Sequence, residues 1–303
     1  MRDQAEKLRQ LIIESKNKPS NTPHKDSGVI NNKPRVLAVT SGKGGVGKTN
    51  FAINLSISLS NLGHKVVVFD ADLGLANIDV ILGIIPKYTI ADMLNGDKDI
   101  LDIMTEGPNG IKLIAGGSGI KELININKKK LESLVLQLQK LENHVDFIII
   151  DTGAGLSEIV LNFVNSADEV ILITTPEPTS LTDVYAMIKT LKVNGEQRKL
   201  SVVINKVENS VEADEVFRRL SKVSTKFLNT KIEKLGFLNN SKLVMQSVKS
   251  QDPLILLYPN SSIAKEINSI ALKISGDKQD SSEESIVSNF VQRFKSLFTK
   301  EGI

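Results

Sequence analysis

Residues 42–49 read Gly-Lys-Gly-Gly-Val-Gly-Lys-Thr, and their spacing suits the holding of phosphate. They fit the pattern G-x-x-x-x-G-K-[S/T], with a strand pattern before them and a helical pattern after. In such a loop Gly42, Gly44, Gly45 and Gly47 let the backbone come close and aim N–H groups at an anion. The helix N-terminus that follows adds its positive end. Lys48 is spaced to bridge the β- and γ-phosphates of a nucleotide, and the Thr49 hydroxyl to ligate Mg²⁺. The candidate nucleotide-binding set is therefore Gly42, Lys43, Gly44, Gly45, Val46, Gly47, Lys48, Thr49 and Asn50. Lys43 is surplus to this chemistry. One lysine suffices to hold the loop's own nucleotide, and position alone is consistent with a second that is simply solvated.

Carboxylates stand at the ends of two other apolar runs. Asp70 and Asp72 close residues 65–72 and, two apart in an extended chain, point the same way. Asp151 closes residues 146–153, where a buried carboxylate is costly without a cation, so a metal is the better reading. Gly153 and Gly155 behind it suit a segment that must move close to phosphate. Asn205 ends a further run and could accept from and donate to adenine. The Asn-Lys pair there is followed by Glu208, at the place where guanine readers carry an acid, so guanine is not strictly excluded by this stretch alone.

Elements must bring these residues together. Short β-branched runs at 36–41, 65–72, 111–117, 146–153, 169–176, 201–207 and 232–238 alternate with helical patterns. They are continuously apolar, as strands buried on both faces must be. The expected fold is α/β: a mainly parallel twisted sheet with helices on both faces, flanked by short helical tails. Residues 1–16 read as an amphipathic helix, 17–34 as a polar Pro-containing linker, 35–275 as the main domain, 276–284 as a second linker and 285–303 as a last amphipathic helix.

Composition narrows the chemistry. The 303 residues contain no cysteine, which removes thiolate catalysis, disulfides and Cys-ligated clusters. Aromatic residues are 4% and the net charge is +3, so no nucleic-acid partner is expected. His24, His64 and His144 are scattered without metal-ligand spacing. With no signal peptide or membrane span in evidence, the expected location is the cytoplasm.

The stretch "KGGVGKT" resembles the deviant Walker A motif of the MinD/ParA-type ATPases, and residues 35–275 resemble that family throughout. The resemblance implies ATP and Mg²⁺ as cofactors and a homodimer when ATP is bound. It implies that Lys43 reaches the partner's phosphates, so that Lys43, Lys48 and Asp72 are catalytic. It also implies that Asp72 orients the attacking water, that Asp70 joins Thr49 and Asp151 near the metal, and that Asn205 contacts adenine. The physical logic of Lys43 is that of a cation supplied in trans to developing charge.

The two ends carry the finer expectations. "DQAEKLR", Asp3 to Arg9, resembles the activator motif of the FlhG-type regulators of flagellar number, a subfamily of MinD-like ATPases. That resemblance implies docking on FlhF, an SRP-type GTPase, through Asp3, Gln4, Ala5, Leu8 and Arg9, with Gln4 near the partner's attacking water. It also suggests flagellar switch (C-ring) proteins as partners, and residues 174–189 share the subfamily's look. At the other end, Ile286, Phe290, Val291, Phe294, Leu297 and Phe298 share one helical face with cations outside it. That is the pattern of a helix lying in a membrane surface, reversibly attaching the protein to the inner face of the cell membrane. The same pattern suits a helix packed on its own domain. A septum-positioning ATPase, a DNA-partition ATPase, an iron–sulfur carrier and a binding module without hydrolysis are the alternatives. The absent cysteines count against the carrier.

Overall fold

The computed structural model describes residues 34–72, 78–117, 128–193, 198–276 and 286–299. Among these, the strands are β1 (Arg35–Ser41), β2 (Val66–Ala71), β3 (Thr105–Glu106), β4 (Lys112–Ile114), β5 (Phe147–Ala154), β6 (Glu169–Thr174), β7 (Lys199–Val207) and β8 (Glu233–Asn239). They form one sheet in the order β3-β4-β2-β5-β1-β6-β7-β8. The pairings are parallel except for the short antiparallel contact of β3 with β4. All seven expected strands are present, and β3 is the addition.

The α-helices are α1 (Lys48–Asn61), α2 (Ile78–Leu82), α3 (Ile90–Leu94), α4 (Ile100–Ile103), α5 (Lys128–Gln139) and α6 (Glu158–Ser166). They continue with α7 (Pro178–Val193), α8 (Ser210–Leu228), α9 (Lys242–Ser250), α10 (Leu254–Leu257), α11 (Ser262–Gly276) and α12 (Ile286–Thr299).

The apolar runs divide their side chains between two cores. In β1, Val36 and Ala38 face the core shared with α6, α7 and α8, while Leu37 and Val39 face the core shared with α1 and α11. The same alternation holds for Ile148 and Ile150 against Phe147 and Ile149 in β5. Full burial of each Val, Leu or Ile contributes about 1.5–3 kcal/mol, so a run with no polar side is what such a strand requires. β1 lies between β5 and β6, where the sheet order reverses, and the crevice at the C-terminal ends of these strands is where open α/β sheets receive ligand.

Of the two readings of the C-terminal helix's apolar face, the described residues take the one in which it packs on its own domain. In this form Phe290, Val291 and Phe294 of α12 are buried, against α5, α6 and β1. The Phe294 ring centroid is 5.2 Å from that of Phe163 in α6. Arg293 donates to the carbonyls of Ser166 at 3.0 Å and Ala167 at 2.9 Å, which close the C-terminal end of α6. It also donates to Asp168 at 3.1 Å. An arc of apolar side chains that suits lipid equally suits a groove between two helices. The seating is imperfect: an apolar cavity of about 20 Å³ lies beside Phe290, lined among others by Phe69, Leu138 and Phe163. The side chains of Ile286, Leu297 and Phe298, and the residues Asp3, Gln4, Ala5, Leu8 and Arg9, lie outside those described.

Candidate active site at the phosphate loop

β1 delivers the chain to Gly42, and α1 starts at Lys48 after Gly47, whose φ of 96° only glycine adopts readily. Gly45 shares this left-handed geometry, with φ 75°. Gly42 is needed for a different reason. A Cβ there would stand 2.3 Å from the main-chain carbonyl carbon of Asp183, so the loop backbone presses directly on α7. Gly44 has open space on its Cβ side. Lys48 is buried and Thr49 half-buried in the first turn of α1. Asn50 follows, and its carbonyl accepts from Asn54 Nδ2 at 2.7 Å.

Lys43 is held in cis at the loop's rim. Its Nζ lies 2.8 Å from the Glu177 carboxylate and 3.1 Å from the Thr179 hydroxyl, at the start of α7. The hydrogen bond from the Lys43 ammonium, followed by its charge, holds the Glu177 carboxyl below the usual glutamate range. Both side chains remain largely accessible, so the pair is exposed to exchange with another anion.

The carboxylates stand on, or just past, neighbouring strands. Asp70 and Asp151 are register partners across β2 and β5. Asp70 accepts from the main-chain N–H of Asp72 at 3.1 Å and of Ile78 at 3.4 Å. Burial raises the Asp151 carboxyl to about 7, a hydrogen bond from the Thr49 hydroxyl opposes this, and the charge of Asp70 adds to it. The charge of Lys48 lowers it and that of Asp72 raises it further. The Asp72 carboxylate also approaches Gly153, where an added Cβ would lie 3.3 Å from Oδ1. Gly155 donates its N–H to Ser41 at 3.0 Å, tying the segment after β5 to the end of β1.

These residues fit Mg²⁺. One carboxylate oxygen of the buried Asp151 has no hydrogen-bond partner, and the hydroxyl of Thr49 lies against the same carboxylate. The donors are oxygens, which suit a hard cation that keeps waters and phosphate oxygens in its shell. Among the described residues no cluster of three His, Cys, Asp or Glu side chains has the arrangement of an all-protein metal cage.

Asn205 faces the loop. Its Nδ2 donates to the Val46 carbonyl at 2.7 Å, and its Oδ1 accepts from Lys206 N–H at 2.8 Å. The amide keeps one further N–H for a ligand. Two residues near the loop are not evident from motif spacing: Glu177, which holds Lys43, and Lys206, whose Nζ donates to the Gly45 carbonyl at 2.8 Å. Each meets the loop across more than 130 residues of chain, so no local pattern announces it.

A family model described as ParA, NUBPL iron-transfer P-loop NTPase, matches residues 32–275. The chain is 35% identical over 240 residues to the antiactivator FleN of Pseudomonas aeruginosa, covering 79% of this chain and 86% of that protein. It is 36% identical over 238 residues to the flagellum site-determining protein YlxH of Helicobacter pylori, covering 78% and 80%. Among solved structures, the septum site-determining protein MinD of Pyrococcus horikoshii complexed with Mg-ADP superposes with a TM-score of 0.67 at 26% identity. That match covers 80% of this chain and 96% of the other.

Proposed function

We propose, from the premise that this chain belongs to the MinD/ParA-type family of P-loop NTPases, whose activity is ATP hydrolysis, that it is a spatial regulator of flagella. The flagellum site-determining role that YlxH is named for supports the flagellar assignment. The iron transfer in the family model's description has no cysteine ligands to use in this sequence.

The phosphate loop binds ATP through its N–H groups and Lys48. Thr49 and Asp151 would hold Mg²⁺, which supplies charge neutralisation at the β- and γ-phosphates, with Asp70 supporting that shell. Asp72 orients the attacking water. The water oxygen bonds to the γ-phosphorus as the bond from that phosphorus to the β,γ-bridging oxygen breaks, leaving ADP and phosphate. Lys43 leaves Glu177 and serves a second subunit's phosphates, so hydrolysis follows dimerisation. The carrying observation is Lys43 itself: a surplus lysine beside the loop, held by an exposed carboxylate.

In the same reading α12 is the output. Buried in the monomer, it detaches on ATP-dependent dimerisation, and two copies bind the membrane by avidity where one binds weakly. The N-terminal residues Asp3 to Arg9 act on FlhF, and flagellar switch proteins are further partners. The GTPase rate of FlhF with and without the full chain tests this. Stimulation that is lost in Gln4→Ala is the expected result. A rate that this chain leaves unchanged overturns the FlhF assignment.

A further inference from the structure

Lys206 is a non-glycine residue in the left-handed region, with φ 59°. That geometry is strained for a long side chain and persists only where the surroundings enforce it. Here it has a visible return. It turns the Lys206 N–H onto Asn205 Oδ1 at 2.8 Å and carries Nζ to the Gly45 carbonyl at 2.8 Å. Asn205, oriented by that bond, takes the next carbonyl, Val46, at 2.7 Å. The fit is close: a Cβ on Gly47 would stand 2.5 Å from Asn205 Nδ2.

A loop that points its N–H groups inward at an anion must point carbonyls outward, and those carbonyls need donors from elsewhere. We propose that Asn205 and Lys206 form a two-point clamp that sets the phosphate loop in its anion-binding shape before nucleotide arrives. Lys206 is then a positioning residue for the nucleotide, acting through Gly45. The clamp comes from the C-terminal end of β7, so one rigid strand orders the loop that follows β1. Pre-ordering raises affinity by removing entropy that binding would otherwise cost. It affects ADP and ATP alike, because it acts on the loop rather than on the γ-phosphate. The same ammonium lies within electrostatic reach of Glu177, the carboxylate that holds Lys43.

The inference rests on the reading of this loop as a nucleotide site, and the test separates the two. Binding of a fluorescent ADP analogue is measured for the full-length wild-type chain, Lys206→Met, Lys206→Arg and Lys206→Gly, alongside thermal unfolding without nucleotide. KM and kcat for ATP are measured on the same proteins. The expected result is a Kd and KM about tenfold higher in Lys206→Met, partial recovery in Lys206→Arg, and kcat nearly constant. Lys206→Gly relieves the backbone strain and removes the donor; it should bind as poorly as Lys206→Met while unfolding no earlier than wild type. Lys206→Met binding ADP within twofold of wild type overturns the clamp. So does a loss that follows thermal stability across the variants. A wild-type chain that binds no nucleotide overturns the nucleotide site itself.

Discussion

The ammonium of Lys43 lies 2.8 Å from the carboxylate of Glu177 in the same chain, and so is occupied at home while its proposed work lies in a second subunit. The pair is exposed, and such pairs break at little cost. A lysine held this way can be exchanged onto phosphate when a partner presents it. Replacement of Lys43 by Ala should lower the ATPase rate by about 1,000-fold, the scale of a cation supplied in trans. It should also remove the dependence of specific activity on protein concentration. Turnover measured across a dilution series checks both, and a concentration-dependent Lys43→Ala enzyme would falsify the role in trans.

The helix α12 is fastened by Arg293 as well as by Phe290 and Phe294. Arg293 bonds the two carbonyls that end α6 and the carboxylate of Asp168, which in turn accepts from Val36 N–H at 3.0 Å. One side chain thus joins the C-terminal helix to the helix that follows Gly153 and Gly155 and to the strand that leads to the loop. In Arg293→Met, hydrogen exchange across residues 286–299 should be at least about tenfold faster without nucleotide, while the ATPase core exchanges as in wild type. Unchanged protection of that segment contradicts the fastening.

Asp168 gives a pH signature. Burial lifts its carboxyl from 3.8 to about 6, against the hydrogen bond from Val36 and the charge of Arg293. A folded-state value above the unfolded one means that the folded chain holds the proton more tightly. The associated stability is therefore full below about pH 4 and lost as pH rises through about 6. The full change is on the order of 3 kcal/mol. Urea unfolding of wild type and Asp168→Asn at several pH values isolates it, because other titrations cancel. The variant should gain on wild type as pH rises across this window; a constant difference contradicts the assignment.

Gly42 and Gly44 look alike in the motif and differ in space. A Cβ at position 42 collides with the backbone of Asp183, whereas one at 44 meets nothing within 4 Å. Without nucleotide, Gly42→Ala should cost about 1–3 kcal/mol. Gly44→Ala should stay within about 0.5 kcal/mol. Denaturant titration of both variants decides it, and equal costs would contradict the close approach of loop and α7.

Much of this was legible in the chain. The apolar runs revealed seven strands, and a stretch such as residues 147–150 shows no polar break because it is buried on both faces; the edge strand β8 departs from that expectation, with Glu233 exposed and only Leu235 and Leu238 buried. β3 was not legible: Thr105 and Glu106 are too few to show a period. The carboxylates Asp70, Asp72 and Asp151 were legible because each stands at the end of such a run. Glu177 and Lys206 were not, since their importance lies in contacts with the loop that only the folded sheet creates. The stripe of Phe290, Val291 and Phe294 was visible, but periodicity records that a face is apolar and not what covers it.

The claim that nucleotide state sends α12 from its groove to a membrane is tested most directly by sedimenting the full-length chain with anionic phospholipid vesicles. Asp72→Ala, in which ATP should persist unhydrolysed, is compared with ATP and with ADP. Strong co-sedimentation with ATP and little with ADP, lost when Phe290 and Phe294 are both replaced by Ser, is the expected result. Equal vesicle binding in the two nucleotide states, or none in either, contradicts it.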